Sequence, residues 1–206
     1  MNKYSVIVFD LGNVLLPFDY NVIISKFDRI ERGLGSKFAA YYKDNYNVHR
    51  RFERGEFTPD KFVEIMLDVL DHKMSGEAFC EAYSKIFTVN EKLVAALPVL
   101  KKNCQLVLLS NTNAIHQKFG WGAYEFLKLF DKLILSHEVH AVKPEKEIYE
   151  AVESFTQKSP QEHFYVDDVP EYVAAARKLG WDAVQFVGNK RLFEEFKKRE
   201  LLNDEI

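Results

Sequence analysis

Asp10, the Ser110-Asn111 pair, Lys143 and the Asp167-Asp168 pair are the residues whose types could do chemistry together. Up to three carboxylates brought close repel one another, so they require a cation or raised pKa values. Hard oxygen donors with open positions suit Mg²⁺, which typically binds through one or two carboxylates plus water and phosphate oxygens. Lys143 adds a fixed positive charge before Pro144, Ser110 a hydroxyl, and the turn at Asn111 and Thr112 backbone N–H donors. An acid cluster, a divalent ion, a lysine, a serine and free amides are the parts that phosphoryl transfer needs, since its catalysis is mostly positioning and charge neutralisation. Asp10 is then the nucleophile, forming an aspartyl-phosphate that water hydrolyses.

Three apolar runs must position these groups. Val6-Ile7-Val8-Phe9 reads as a strand buried on both faces, and it ends in Asp10 and Gly12. Cys104-Gln105-Leu106-Val107-Leu108-Leu109 ends in Ser110-Asn111-Thr112-Asn113, and Phe164-Tyr165-Val166 ends in Asp167-Asp168. Leu133-Ile134-Leu135 and Ala183-Val184-Gln185-Phe186 read as two further strands. Helical patterns alternate with them: from Glu91, Leu93, Ala96, Leu97 and Leu100 share one helix face, a second helix is opened by Lys143-Pro144, a third runs from Pro170 to Gly180, and a charged helix finishes the chain, expected to fray after Leu202. That alternation predicts an α/β fold, a Rossmann-like three-layer α/β/α core on a parallel sheet. All strand ends of a parallel sheet lie on one edge, where ligands bind in open α/β folds.

Between the first two strands the pattern is helical only. Val22, Ile23, Phe27 and Ile30 share a helix face, ended by Gly33-Leu34-Gly35-Ser36; Phe38, Tyr41, Tyr42 and Tyr46 give a second helix, and Val48 to Arg54 a third closed by Gly55. Thr58-Pro59 opens a fourth, with a capping threonine and proline at the first helical position, and Gly76 to Phe87 carries a fifth. The expected organisation is a core of residues 1–16 and 90–206 with a helical-bundle cap, 17–89, inserted into it.

The 206 residues are 47% hydrophobic and 14% aromatic, enough for a core domain plus a smaller one. A net charge of −3 gives no footprint for nucleic acid, and no apolar run approaches the roughly 20 residues of a membrane span. Cys80 and Cys104 lie far apart in apolar patterns and read as buried free thiols. A cytoplasmic protein is expected, with a small phosphorylated metabolite as its partner and neither nucleic acid nor membrane. Oligomeric state is not legible.

Four segments, in order, resemble the motifs of the haloacid dehalogenase (HAD) superfamily: Phe9-Asp10-Leu11-Gly12-Asn13-Val14-Leu15, Leu109-Ser110-Asn111-Thr112-Asn113, Lys143-Pro144 with Ile148-Tyr149, and Tyr165-Val166-Asp167-Asp168. The helical insert is similar to that family's small cap, and Arg51-Phe52-Glu53-Arg54-Gly55-Glu56-Phe57-Thr58 resembles caps of its dehalogenase-like branch. Ser110-Asn111-Thr112-Asn113 followed by His116 resembles bacterial sugar-phosphatase members, the α-D-glucose-1-phosphate phosphatase type included. The resemblance implies that Asp10 and Asp168 bind Mg²⁺ through side chains, Gly12 through its carbonyl and Asp167 directly or through water. Ser110 and Lys143 would hold the phosphoryl group, with Asn111, Thr112 and His116 on the substrate.

Two positions depart from the family pattern. Most of its phosphatases carry a second aspartate as general acid and base where this chain has Gly12, and acid-base help is worth about 10²–10⁴ in rate. His49 and Glu53 of the cap, Asp19 and His116 are the candidate replacements. Alternatively the substrate needs little help: an anomeric sugar hydroxyl leaves more easily than an ordinary alcohol, which favours anomeric phosphates. Tyr172 stands where the family often has Asn or Asp supporting the metal. A 2-haloacid dehalogenase, whose Asp10 would attack carbon without a metal, and a non-catalytic member that binds a phosphorylated ligand or partner are the alternatives.

Overall fold

The computed structural model describes residues 3–202. Five strands, β1 (Val6–Phe9), β2 (Gln105–Ser110), β3 (Lys132–Leu135), β4 (His163–Asp167) and β5 (Asp182–Gln185), form one sheet in the order β3-β2-β1-β4-β5. Every pairing is parallel. β1 lies at the centre, in register with β2 through Val8 and Val107 and with β4 through Val8 and Tyr165. Asp10 extends it by donating its N–H to Val166 O at 2.9 Å.

The period-2 geometry of a strand sends alternate side chains to opposite faces. Ile7 and Phe9 join Leu106, Leu108, Phe164 and Phe196 in one apolar cluster, whereas Val6 and Val8 join Val107, Leu109, Ile148 and Tyr165 in another. Helices cover both clusters, so the layers are helix, sheet, helix. In chain order the helices are α1 (Asn21–Ile30), α2 (Leu34–Asp44), α3 (Tyr46–Glu53), α4 (Pro59–Val69), α5 (Gly76–Ser84), α6 (Glu91–Val94), α7 (Leu97–Leu100), α8 (Ala114–His116), α9 (Ser136–Val139), α10 (Lys146–Thr156), α11 (Pro170–Lys178) and α12 (Asn189–Lys198).

Helices α1 to α5 enclose a third apolar cluster of their own, including Ile23, Phe27, Phe38, Phe62, Phe79 and Tyr83. Thr58 caps α4 by accepting from Lys61 N at 3.2 Å, and Pro59 takes its first position, as the sequence predicts. The two chain crossings between these helices and the sheet run side by side. Phe18 pairs with Phe87 in an antiparallel bridge, and Thr88 donates its N–H to Pro17 O at 2.8 Å.

Three expected boundaries are displaced. Gly33-Leu34-Gly35-Ser36 does not end the first helix: α1 stops at Ile30, and Leu34 to Ser36 already belong to α2. Gly33, at φ 99°, supplies the left-handed turn between them. Lys143-Pro144 does not open α10. That peptide bond is cis, and the helix begins at Lys146. The helix expected from Glu91 to Leu100 is two short pieces, with Pro98 in the first turn of the second. Cys80 and Cys104 are buried and unpaired, as expected. The expected fraying beyond Leu202 falls outside the described residues.

Candidate active site

Asp10, Ser110 and Asp167 stand at the carboxyl ends of β1, β2 and β4, so the parallel sheet alone brings them to one edge. Carboxylate oxygens of Asp10, Asp167 and Asp168 lie within 4.8 Å of one another. Lys143 arrives from the loop before α10 and threads its ammonium into this cluster. It donates to Asp10 Oδ1 at 2.7 Å, Asp167 Oδ2 at 2.6 Å and Leu109 O at 3.2 Å, which uses all three of its protons. Its side chain is 1% exposed.

A lysine this buried would ordinarily lose its charge. Burial does disfavour the ammonium, but the Asp10 and Asp167 carboxylates outweigh it and hold the Lys143 pKa above its usual value. Burial also drives the Asp10 carboxyl up to about 7; Lys143 opposes that rise, while Asp167 and Asp168 add to it. Asp168, half-buried, is raised by desolvation although Asn13 Nδ2 donates to it at 3.1 Å. Asp167 Oδ1 accepts from Val169 N at 2.8 Å, and Tyr165 OH donates to Oδ2. One ammonium against three carboxylates leaves an excess of negative charge. These hard oxygen donors fit a divalent cation of the Mg²⁺ type better than a soft metal.

Asn111 and Thr112 are already occupied. Asn111 Oδ1 accepts from Lys143 N at 2.8 Å, and its Nδ2 donates to Lys143 O at 3.2 Å and to Tyr172 OH at 3.3 Å. The side chain expected on the substrate is therefore a clamp on the Lys143 backbone. The Thr112 N–H, expected to be free, donates to Ser136 Oγ at 2.9 Å. Ser110 Oγ has only a long contact to its neighbour's carbonyl, Asn111 O at 3.5 Å, so it keeps its capacity for a ligand. Tyr172 supports the site in its own way. Its ring lies 5.1 Å from Lys143 Nζ, a cation–π contact on the lysine rather than a contact on the acids.

A cleft of about 60 Å³ separates the sheet edge from the helices, lined among others by Gly12, Phe18, Glu53, Ser110, His116 and Trp121. A Cβ at position 12 would stand 3.0 Å from Phe18 Cε1. The Phe18 ring thus stands tightly against the position a Cβ at residue 12 would take. Glu53 ends α3 and keeps 23% side-chain exposure. Arg50, one turn earlier, donates to Glu53 Oε2 at 3.2 Å and also to the Lys143 carbonyl, fastening α3 to the loop that carries the lysine.

The other candidate replacements for the missing acid are placed differently. Asp19 accepts from Asn21 N at 2.8 Å and lines a separate hollow with Val22, Ser25 and Lys26. His49 is buried against Phe38, Tyr42 and Phe62, and neither ring nitrogen has a partner among the described residues. Burial pushes its pKa down to about 4. The His116 ring reaches the cleft, 4.2 Å from the Tyr83 ring, and its Nε2 has no partner among the described residues. Burial pushes its pKa down to about 3. Trp121 Nε1 is buried and unpartnered on the same cleft. The sequence marks Trp121 only as a packing residue and Phe18 only as part of the break after the first strand.

The sequence pattern of haloacid dehalogenase-like hydrolases matches residues 4–180. The chain belongs to that family. It is 26% identical over 189 residues to the D-ribitol-5-phosphate phosphatase of Bacteroides thetaiotaomicron, covering 87% of this chain and 90% of that protein. A HAD family enzyme from the same organism, solved in complex with magnesium and inorganic phosphate, superposes with a TM-score of 0.80 at 26% identity, over 92% of this chain and 99% of that one. The L-2-haloacid dehalogenase of Xanthobacter autotrophicus shares the fold, with a TM-score of 0.64 at 17% identity over 97% of this chain and 85% of that one.

Proposed function

We propose that this chain is a Mg²⁺-dependent phosphatase of a small phosphorylated metabolite, with sugar and sugar-alcohol phosphates foremost, acting through an aspartyl-phosphate on Asp10. The observation that carries the proposal is the juxtaposition of Asp10, Asp167 and Asp168 around one buried ammonium. A phosphate reader needs positive charge there, and three carboxylates leave room for it only through a cation. The relatives named for phosphatase activity and solved with magnesium and phosphate support the same chemistry.

Asp10 and Asp168 side chains, the Gly12 carbonyl and Asp167 would hold the ion. When bound, it supplies positive charge against the carboxylates and the phosphoryl oxygens. The chain's own groups do the rest. Lys143 fixes Asp10 Oδ1 and presents positive charge beside it, at the position where the transferring group is most anionic. Ser110 Oγ donates to a phosphoryl oxygen. Asn111 keeps the Lys143 backbone in place. The helices of residues 17–89 act as the cap that closes the cleft and excludes water. We place the protein in the cytoplasm on its two buried unpaired thiols; among the described residues no helix is long and apolar enough to cross a membrane.

The test is phosphate release from a panel of small phosphomonoesters, anomeric and primary-alcohol phosphates included, with Mg²⁺ and with EDTA. Release that requires Mg²⁺ and falls by roughly 10⁴-fold or more in Asp10→Asn is the expected result. Release that persists in EDTA contradicts the proposal.

A further inference from the structure

Removal of an alkyl phosphate requires a proton for the departing oxygen, and the strand end that holds the nucleophile carries none. Position 12 is glycine, and a Cβ there would already stand 3.0 Å from Phe18 Cε1. Glycine supplies no proton there, so the opposite wall of the cleft is where a donor is sought. That wall is largely aromatic, with Phe18, Tyr20, Phe87 and Trp121 on the cleft. Glu53 is the acid among its lining residues.

We propose that Glu53 is the general acid and base of the phosphatase reaction, supplied from the helical side of the cleft in place of a residue at position 12. The inference rests on the phosphatase reading above. Its geometry is set by two contacts of Arg50: one to Glu53 Oε2, and one to the carbonyl of Lys143, the residue that holds the nucleophile. Arg50 thus positions the carboxyl and ties helix α3 to the lysine loop beside the reacting centre. The carboxyl ends α3 and remains open to the cleft. Burial raises its pKa, with Arg50 and Lys143 opposing, which lets it carry a proton more readily than an exposed glutamate. The two histidine candidates fail: His49 is buried among rings and is not one of the residues lining the cleft, and burial holds both rings neutral. With pKa values pushed down to about 3 and about 4, His116 and His49 are almost wholly unprotonated at neutral pH.

The proton ledger closes over two steps. In the first, Asp10 attacks phosphorus and the bond from phosphorus to the ester oxygen breaks. Its electron pair stays on that oxygen, which takes the Glu53 proton and leaves as the alcohol. In the second, the Glu53 carboxylate takes a proton from water as that water attacks phosphorus. The bond to Asp10 breaks with its pair returning to the carboxylate, phosphate departs, and Glu53 is again protonated. An acid at this place removes the need for an easily departing anomeric oxygen, so primary-alcohol phosphates become substrates.

The test compares Glu53→Gln with the wild-type protein on two substrates, glycerol 3-phosphate, a poor leaving group, and p-nitrophenyl phosphate, a good one. The value of kcat/KM reports the first chemical step. Loss of a general acid should lower it by about 10²–10⁴ for the alkyl ester and by less than about 10-fold for the aryl ester. Survival of the aryl reaction also shows that the variant is folded. A stopped-flow burst of p-nitrophenolate equal to the enzyme present, followed by slower turnover, is the expected signature of the lost base. An equal loss on both esters overturns the proposal, because a residue that only orders the cleft affects both alike. No loss on either overturns it as well. Wild-type protein that releases no phosphate from either ester overturns the phosphatase reading and this proposal with it.

Discussion

On the sheet side of the cleft the charged and amide groups are densely partnered, with Ser110 Oγ left for a ligand: Lys143 Nζ has three acceptors, Asp167 has three donors, and Asn111 is bonded through both ends of its amide. On the helix side the surface is rings, and the polar groups set among them are short of partners. His49 lacks one for either nitrogen, and His116 Nε2 and Trp121 Nε1 lack one each, among the described residues. Arg50 with Glu53 is the point at which the helix side reaches across, to the Lys143 carbonyl. The difference has a physical cause. Strand ends of one sheet are fixed relative to one another by the hydrogen-bond ladder, so charges can be preorganised there at low reorganisation cost. A helical layer packed through aromatic rings is shaped by size and contact, and of its unpartnered polar groups only His116 Nε2 and Trp121 Nε1 belong to residues that line the cleft.

If the sheet side depends on charge compensation, removing the ammonium must be its most damaging change. Lys143→Met leaves Asp10 and Asp167 buried without a counter-charge. It should cost about 3–5 kcal/mol of stability in EDTA, read by denaturant unfolding, and at least about 10²–10³ in phosphate release. A variant as stable as the wild type in EDTA would show that the cluster is not held by that charge.

The seam between the two sides is tested at Gly55, whose φ is +74° and whose added Cβ would stand 2.4 Å from His137 O. Gly55→Ala should destabilise by about 1–3 kcal/mol, with α3 displaced from the lysine loop. Gly12→Asp asks whether the sheet side can accept the family's acid. With Phe18 at 3.0 Å, overpacking should cost about 1–3 kcal/mol and restore no activity to Glu53→Gln, while pairing it with Phe18→Ala should recover much of the stability.

The smallest effect is on pH. His49 and His116 are held neutral by burial, their folded pKa values lying below the unfolded value near 6.5. Between pH 6.5 and about 4 the unfolded chain binds their protons and the folded chain does not, so their contribution to stability falls as pH falls. His49→Leu removes one such group. Its unfolding free energy should decline less steeply over that window, by up to about 1.4 kcal/mol per pH unit, against the wild type measured alongside. Parallel pH profiles would contradict the burial of an uncharged ring there.

Most of the sheet edge was legible because its determinants are local. Apolar, β-branched runs ending in Asp10, Ser110 and Asp167 mark strands and their polar ends, and parallel pairing then brings those ends together without further information. The same locality fails at the turns. Neither the cis Lys143–Pro144 bond nor the start of α10 at Lys146 has a local signal in the sequence, and the Lys143 backbone is held by Asn111, which is distant in sequence. Asn111 and Thr112 read as ligand groups because their partners, the Lys143 backbone and Ser136, come from other segments. On the helix side, spacing identifies which residues share a face but not which part of the core that face meets. His49-Arg50-Arg51 therefore divides three ways: His49 inward among rings, Arg50 to Lys143, and Arg51 outward to Glu56. The close approach of the Phe18 ring to position 12 has no trace in spacing at all.

The central claim is that Asp10 is phosphorylated during turnover. The most direct measurement is mass spectrometry of the peptide containing Asp10 after acid quench of a single turnover with Mg²⁺ and a substrate that the wild-type protein hydrolyses. The account predicts a phosphoryl group on Asp10 that appears and decays with product formation and is absent from Asp10→Asn. Hydrolysis that proceeds with Asp10 unmodified at every time point, or with the phosphoryl group on another residue, would contradict it.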